Sequence, residues 1–254
     1  MMLKRRIIPV LLLKNGRMVK GKQFKDFRDT GDPVMATRVY NAQAADELVF
    51  LDIQASQEER GTLIETIERV STEAFMPFSV GGGITSIQDI RDLLKAGADK
   101  VVITTAAVEN PDLIAQGAEA FGKQCIIAGI DAKLEDGGYR VYTHSGTVRT
   151  DLDLIAHVKN MTRLGAGEIF INSIDRDGMM VGYDLPLIRM VSEATDRPVI
   201  AMGGAGNFQH LVEAMEAGAH AAACASVFHF GDNNPPRARA FVKNAGYPVK
   251  NIQR

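Results

Sequence analysis

The sequence has 254 residues, 46% of them apolar and 24% charged, and is long enough for one large α/β domain with a buried core. Its net charge of −2 gives no reason to expect binding to nucleic acid or to a membrane surface. No apolar run approaches the roughly 18 residues of a membrane-spanning helix, and a secretory signal pattern is absent. Cys125 and Cys224 stand singly, and the five histidines lack metal-ligand spacing. We therefore predict a cytoplasmic protein with reduced thiols and no bound metal or cofactor.

Short apolar runs alternate with helical patterns along the chain. The runs predict strands at 6–13, 48–53, 77–81, 100–105, 125–131, 168–173, 198–202 and 221–225. Several are apolar throughout, as parallel strands buried on both faces are. Helices are predicted between them, for example at Ile87–Lys95, at 111–121 with Asn110 as N-cap, and at 152–164. Eight strands, each followed by a helix, predict one (β/α)8 TIM barrel over residues 1–254.

Two connections are longer than the others. Residues 14–33 are charged and punctuated by glycine, and we interpret them as a candidate mobile lid. Residues 134–150 contain an alternating run at 139–143 that predicts a small hairpin. Because both connections follow strand ends, both are expected on the catalytic face of the barrel.

The chain matches itself when it is shifted by about 120 residues. The run VGGG at 80–83, for example, corresponds to MGGA at 202–205. This repeat predicts a barrel built from two duplicated half-barrels. The match breaks at one position where chemistry is expected, because Asp131 corresponds to Leu12.

Glycine clusters end the third and seventh predicted strands, and a hydroxyl side chain follows each cluster one βα unit later. The first half has Gly83 with Thr104 and Thr105, and the second half has Gly204 with Ser226. Either cluster alone is explained by a tight strand-to-helix turn. As a pair they predict two phosphate cradles on opposite sides of the barrel mouth. The expected ligand is a small molecule with a phosphate at each end.

Asp131 ends the fifth predicted strand, where a side chain points into the barrel mouth. A carboxylate there can act as a general acid or base, and the alternative is a helix cap or a partner for Lys133. Asp177, in the loop after the sixth strand, is close in topology and favours the catalytic interpretation. Asp52 ends the second strand and is interpreted as either a structural or an orienting residue.

Four charged residues lie at the opposite ends of the strands, namely Arg6, Glu47, Lys100 and Glu168. Two cations and two anions at this end predict a closed ring of ion pairs. From the residues alone the ring is interpreted as a stabilising plug, since the N-terminal face of such barrels usually serves stability.

The whole chain resembles the cyclase subunit of imidazole glycerol phosphate synthase, the glutamine-dependent enzyme of histidine biosynthesis. The motifs that carry the resemblance span the full length and include VKGKQF, RDTGDP, DELVFLDI, VGGGI, TAAVENP, IDAK, SIDRDG, GGAG and ASVFHF. The resemblance implies a glutaminase partner that releases ammonia, which passes through the barrel to the mouth. There it reacts with a bis-phosphorylated aminoimidazole carboxamide ribonucleotide that carries a ribulosyl group. The products are imidazole glycerol phosphate and aminoimidazole carboxamide ribotide.

The resemblance also implies roles for single residues. Asp131 matches one of two catalytic carboxylates, and Lys20 lies in the loop that closes over the substrate. The residues implied in phosphate or substrate binding are Gly83, Thr105, Asp177, Gly178, Gly204 and Ser226. Those implied in the ammonia gate are Arg6, Glu47, Lys100 and Glu168, and Asp99 matches a contact to the glutaminase. Because the gate is complete, our interpretation of the ring changes from a plug to a gate.

The departures from the family lie almost entirely at the mouth. Leu12 occupies the position of the family's first catalytic aspartate, and leucine cannot transfer a proton. Loss of a positioned acid–base group lowers a rate by roughly 10²–10⁴. The other departures are Thr104 for asparagine, Val102 and Met202 for serine, Asn172 for threonine, and the apolar run at 179–181.

Three functions remain open. The first is a paralogue that keeps the glutaminase partner and the ammonia channel without the cyclase reaction. It supplies ammonia for amidation of a nucleotide-linked surface sugar by a third, ATP-dependent enzyme. The second is a lyase and cyclase of histidine biosynthesis that works with Asp131, aided by Asp177 or water, and the third is a phosphate-binding scaffold for the glutaminase. Leu12 favours the first over the second, and the intact gate argues against the third.

Overall fold

The computed structural model describes residues 4–55, 58, 64–229 and 233–251. Eight parallel strands close into a barrel, each paired with the next and the last with the first. In order around the barrel they are β1 (Arg6–Lys14), β4 (Leu48–Asp52), β5 (Phe78–Gly81), β6 (Lys100–Ile103), β7 (Ile126–Glu135), β10 (Glu168–Ser173), β11 (Val199–Met202) and β12 (Ala221–Cys224). The predicted (β/α)8 TIM barrel is confirmed, and each of the eight predicted strands is present.

Helices form the outer layer around the strands. In the described residues they are α1 (Pro33–Ala42), α2 (Ile64–Ser71), α3 (Ile87–Lys95), α4 (Thr105–Glu109), α5 (Asp112–Phe121), α6 (Leu154–Leu164), α7 (Leu185–Ala194), α8 (Phe208–Glu216), α9 (Ser226–His229) and α10 (Pro235–Asn244). α3 has its predicted bounds, because Ser86 and Asp89 close a capping box at its start. None of these helices is long and apolar enough to cross a lipid bilayer.

The expected N-cap at Asn110 is wrong. The N–H of Asn110 bonds to the carbonyl of Ala106, so Asn110 ends α4 instead of starting the next helix. α5 begins at Asp112 after Pro111, which offers no side-chain cap. The two helices follow each other so closely that the asparagine is used by the first.

Each half of the barrel carries an antiparallel hairpin at its mouth. The first consists of β2 (Arg17–Lys22) and β3 (Lys25–Gly31), and the second of β8 (Gly138–Thr143) and β9 (Val148–Asp153). β8 pairs with β7, which confirms the hairpin predicted at 139–143. The segment interpreted as a lid is therefore an ordered hairpin paired with β1, and its mobility stays a prediction.

The two halves also repeat smaller details. Gly97 and Gly218 have φ angles of +109° and +111°. A Cβ on Gly97 would lie 2.5 Å from Cβ of Ser71, and one on Gly218 would lie 2.7 Å from Cβ of Ser192. Both positions thus require glycine for the same reason. These matching contacts agree with the two duplicated half-barrels predicted from the sequence.

Apolar side chains of seven of the eight barrel strands, all except β5, fill the barrel interior. On β1, Ile8, Val10 and Leu12 belong to an inner apolar cluster. Leu11 and Leu13, which alternate with them, pack outwards against the helices. Other members of the inner cluster are Val49, Val102, Ile127, Phe170, Ile200 and Met202. The interior is therefore an apolar column that ends at the mouth with Leu12.

Candidate active site

The carboxyl ends of the barrel strands enclose a cavity of about 940 Å³, part of it open to solvent. Enzymes with this fold carry their active sites at this end. The polar lining includes Thr104, Thr105, Asp131, Asn172 and Asp177, and the apolar lining includes Leu12, Phe24, Phe27, Leu51, Val102, Phe170 and Met202. The structure thus brings the predicted catalytic carboxylate together with predicted binding residues of both halves. Within the described residues, no group of His, Cys, Asp or Glu side chains is arranged to hold a metal ion.

Asp131 is half-buried on β7 and has Asn172 of β10 as its neighbour. Nδ2 of Asn172 donates a hydrogen bond to Oδ1 of Asp131 at 3.2 Å. Burial raises the pKa of Asp131 to about 7; the Asn172 hydrogen bond opposes this rise, and the charge of Asp177 adds to it. A carboxyl group that titrates near neutral pH can both give and take a proton. Lys133, the alternative partner, lies over the ring of Tyr142 at 5.9 Å.

Asp177 and Lys20 are buried neighbours at the edge of the mouth. Burial raises the pKa of Asp177 to about 6, opposed by the charge of Lys20 and by a hydrogen bond from the backbone N–H of Phe24. Burial lowers the pKa of Lys20 to about 8, opposed by the charge of Asp177. The N–H of Gln23 also donates to the carbonyl of Asp177 at 2.9 Å. The hairpin that carries Lys20 is therefore closed against the loop after β10.

The second predicted phosphate cradle is a small pocket of about 240 Å³ beside the main cavity. Its lining includes the four predicted residues Asp177, Gly178, Gly204 and Ser226. A Cβ on Gly178 would lie 2.2 Å from the carbonyl oxygen of Gly21, and one on Gly204 would lie 2.1 Å from that of Gly182. Only glycine fits these two positions, and close backbone approach of this kind is typical of turns that bind a phosphate.

In the first predicted cradle, one of the two hydroxyl groups already has a hydrogen-bond partner within the protein. Thr104 and Thr105 line the cavity, but Oγ1 of Thr105 already accepts a hydrogen bond from the N–H of His144 at 3.1 Å. Gly83 is buried, and its neighbour Gly82 is the glycine that lines the cavity. The structure therefore places Thr104 and Thr105 at the mouth, with the hydroxyl group of Thr105 already hydrogen-bonded within the protein.

Two contributors to the site were not predicted as such. Asn172 was noted only as a departure from the family, because nothing in the sequence reveals the strand register that joins it to Asp131. A Cβ on Gly129 would lie 2.3 Å from Oγ1 of Thr104, so this glycine makes room for the threonine. The available signal was a glycine inside an apolar strand, which often marks a close approach by another group.

Leu12 lines the same cavity as Asp131 and contributes an apolar side chain to it. It is only 8% exposed and packs in the inner cluster with Val102 and Met202. All three are positions at which the resemblance led us to expect a polar residue. The mouth consequently has a polar part with Asp131 and an apolar part with these three residues.

The four charged residues at the other end of the barrel form the predicted closed ring. Arg6 contacts Glu47 at 2.7 Å and Glu168 at 2.5 Å, and Lys100 contacts the same carboxylates at 2.9 and 2.6 Å. Burial alone would raise the pKa of Glu168, but the hydrogen bonds and charges of Arg6 and Lys100 hold it below its usual value. Asp99, next to Lys100 in the chain, is exposed.

Comparison with known proteins identifies the family to which the chain is similar. The family described as histidine biosynthesis protein matches residues 6–234. The chain is 53% identical over 253 residues to imidazole glycerol phosphate synthase subunit HisF of Caulobacter vibrioides, covering 98% of this chain and 97% of the relative. It is 50% identical to the subunit of that name from Geobacillus kaustophilus and 49% identical to the one from Geobacillus thermodenitrificans, covering 98% of this chain and 100% of each.

These names bear on the three functions left open by the sequence. None refers to a surface sugar, so the comparisons favour the cyclase hypothesis over ammonia supply for sugar amidation. The chain belongs to the histidine biosynthesis protein family, on its HisF branch.

Proposed function

We propose that the chain is the barrel subunit of a cytoplasmic glutamine amidotransferase complex of the imidazole glycerol phosphate synthase type. A glutaminase partner docks at the end that carries the charged ring and Asp99, and the ammonia it releases passes through the barrel to the mouth. One observation carries this proposal: a closed ring of alternating charges stands at the opposite end of the barrel from Asp131. The names of the relatives, which are subunits of such a synthase, support it.

The apolar interior fits the transport of ammonia in its neutral form. Between the ring and the mouth the column presents side chains such as Ile8, Val49 and Ile127. An unpaired ammonium ion would lose several kcal/mol on leaving water for such surroundings. The proton of ammonium is therefore left at the ring end, where carboxylates and water are available.

At the mouth, the first candidate reaction is the cyclase reaction. The two cradles hold the two phosphates of the ribulosyl aminoimidazole carboxamide ribonucleotide. Addition of ammonia to its carbonyl carbon requires proton transfer to the departing oxygen and away from the nitrogen. Asp131, whose pKa is about 7, is suited to these transfers, with Asp177 or water as the second participant.

Leu12 favours a second candidate function. A mouth with leucine in place of a second catalytic carboxylate at position 12 retains ammonia delivery without efficient cyclisation. Ammonia then serves an acceptor bound by another enzyme, and amidation of a nucleotide-linked surface sugar by an ATP-dependent partner is the form of this hypothesis derived from the sequence. The comparisons favour the first candidate, and Leu12 is the observation that keeps the second.

The deciding experiment measures ammonium-dependent consumption of the ribulosyl ribonucleotide by the purified chain. Leu12→Asp restores a carboxyl group, and Leu12→Asn is the matched control of similar size without one. If the wild type is a cyclase, it turns over the substrate without any substitution at position 12.

An inert wild type overturns the cyclase proposal. If Leu12→Asp then gains roughly 10²–10⁴ in rate while Leu12→Asn does not, the site lacks only the second acid–base group, and ammonia delivery becomes the function. Melting curves of the three proteins show whether each is folded, because a charge placed in the apolar cluster also lowers stability.

A further inference from the structure

The carboxyl group of Asp131 has a side-chain partner fixed in the barrel wall. β7 and β10 are parallel neighbours, and their register pairs Asn172 with Asp131. Nδ2 of Asn172 donates to Oδ1 of Asp131 at 3.2 Å, and Asn172 is only 3% exposed. The barrel wall therefore positions the amide, and its hydrogen bond restricts the orientation of the carboxyl group.

The oxygen of the same amide has an unusual environment. Oδ1 of Asn172 is buried and makes no hydrogen bond to any described residue. A buried acceptor without a donor costs about 1–3 kcal/mol, so its retention suggests a use. An amide has N–H donors on one side and an acceptor oxygen on the other, and a half-turn of the group exchanges them. The N–H side suits an ionised carboxylate, and the oxygen side suits the O–H of a protonated carboxyl.

We propose that Asn172 is a positioning residue for Asp131 and that its amide holds the carboxyl group in both protonation states by turning over as the proton is gained or lost. The inference rests on the proposed role of Asp131 in proton transfer at the mouth. A leucine at position 172 would provide neither contact. A threonine would provide both, since a hydroxyl group donates and accepts.

Titratable groups approach Asp131 from several elements. Asp177, in the loop after β10, raises its pKa, and Lys20 on β2 interacts in turn with Asp177. On β8, Tyr142 stands in register with Asp131, but its hydroxyl is hydrogen-bonded to Glu135. Lys14 at the end of β1 and Asp52 at the end of β4 line the same cavity, and β1 and β6 also contribute the apolar side chains of Leu12 and Val102. A change at position 172 leaves all of these groups in place.

The test is a carbon-13 NMR titration of the Asp131 carboxyl in the full chain, with its signal assigned by its loss in Asp131→Asn. Asn172→Leu removes the contact made in each protonation state, and because a hydrogen bond to the ionised carboxylate is stronger than one from the neutral carboxyl, the pKa of Asp131 is expected to rise by up to about one unit. Asn172→Thr is expected to keep most of the wild-type value. The control is Asn244→Leu, which alters an exposed asparagine at the end of α10 and is expected to change nothing.

An unchanged titration of Asp131 in folded Asn172→Leu overturns the proposal. So does a shift in Asn172→Thr as large as that in Asn172→Leu, because the hydrogen bond would then not be its cause. If Asn172→Leu does not fold, Asn172→Ala, which adds no bulk, replaces it in the same titration.

Turnover of the ribulosyl ribonucleotide with ammonium provides a second readout. Since the amide acts through Asp131, Asn172→Leu is expected to lower kcat and leave KM nearly unchanged. Failure of the proposed function has a different signature, namely an inert wild type in which the titration of Asp131 still responds to the change at position 172.

Discussion

Two glycines of the mouth have similar backbone angles and opposite surroundings. Gly204 in the second cradle has a φ of +106°, and Gly137 in the turn between β7 and β8 has a φ of +92°. A Cβ on Gly204 would lie 2.1 Å from the carbonyl oxygen of Gly182, whereas a Cβ on Gly137 would have nothing within 4 Å. Alanine at Gly137 would introduce backbone strain alone, whereas alanine at Gly204 would introduce both backbone strain and a steric clash.

We expect Gly204→Ala to weaken phosphate binding and Gly137→Ala to leave it unchanged. Both variants lose about 1–2 kcal/mol of unfolding free energy, because alanine is strained at positive φ. Gly204→Ala loses about 1–3 kcal/mol more through the clash in the cradle. Denaturant unfolding measures the stability, and calorimetric titration with glycerol phosphate measures the binding. Equal affinity for glycerol phosphate in the two variants would show that this pocket is not the phosphate site.

At the scale of elements, the charged ring ties together the starts of four strands that are distant in sequence. Each carboxylate contacts both cations, so the removal of one cation leaves two buried carboxylates with a single partner. The side chains of Glu47 and Glu168 are only 4% and 11% exposed, so water compensates little. In contrast, both partners of the Arg17–Asp29 pair on the first hairpin are 53% exposed.

Lys100→Met is therefore expected to lower the unfolding free energy at neutral pH by about 3 kcal/mol. The control Arg17→Met is expected to cost less than about 1 kcal/mol, as exposed ion pairs contribute little. With a glutaminase partner present, Lys100→Met is also expected to reduce glutamine-driven turnover relative to ammonium-driven turnover. A Lys100→Met protein as stable as Arg17→Met, with an unaltered ratio of the two rates, contradicts the gate.

The elements that could be predicted are those whose apolar composition indicates that they are buried. β1, β7 and β10 are apolar over most of their length, so the eight barrel strands were recognisable. β3 (KDFRDTG) is polar and has no fully buried residue, and its sequence resembles a charged loop. A hairpin of this kind is fixed by pairing with a neighbouring strand, and that pairing depends on register that no local pattern records.

The same distinction holds for the site. Charged residues at the starts of apolar strands are conspicuous, and their closed ring was predicted from position alone. The contact between Asn172 and Asp131 joins residues 41 apart in sequence, and it follows from which strand lies beside β7. Closure of the first hairpin onto Asp177 is likewise a long-range contact, and the sequence indicated only that a loop was there.

On the scale of the whole molecule, His157 makes stability depend on pH. It lies buried on α6, and burial lowers its pKa from 6.5 to about 4. Between these values the unfolded chain binds a proton that the folded protein does not, so this residue destabilises the fold as the pH falls from 6.5 to 4. Asp131 and Asp177 have raised pKa values, and over part of this range they act in the opposite direction.

Comparison of the wild type with His157→Leu isolates the histidine, because the two aspartates contribute equally in both proteins. We expect the variant to gain up to about 3 kcal/mol of unfolding free energy relative to the wild type as the pH falls from 6.5 to 4. Below this window the difference becomes constant, while both proteins lose the stabilisation from Glu168 as its carboxylate is protonated. Denaturant unfolding at several pH values measures the difference, and a difference independent of pH would exclude His157 as its source.

The duplicated architecture has a consequence for chain connectivity. One seam between the halves pairs Ile7 with Ala222, and the other pairs Ile126 with Val101. In the internal repeat Ile7 corresponds to Ile126 and Ala222 to Val101, so the two seams have the same register. Arg5 also pairs with Val249, which brings the outer ends of the two halves side by side. A circular permutant that starts before β7, passes from α10 into β1 through a short linker and ends after α5 would therefore form both seams unchanged.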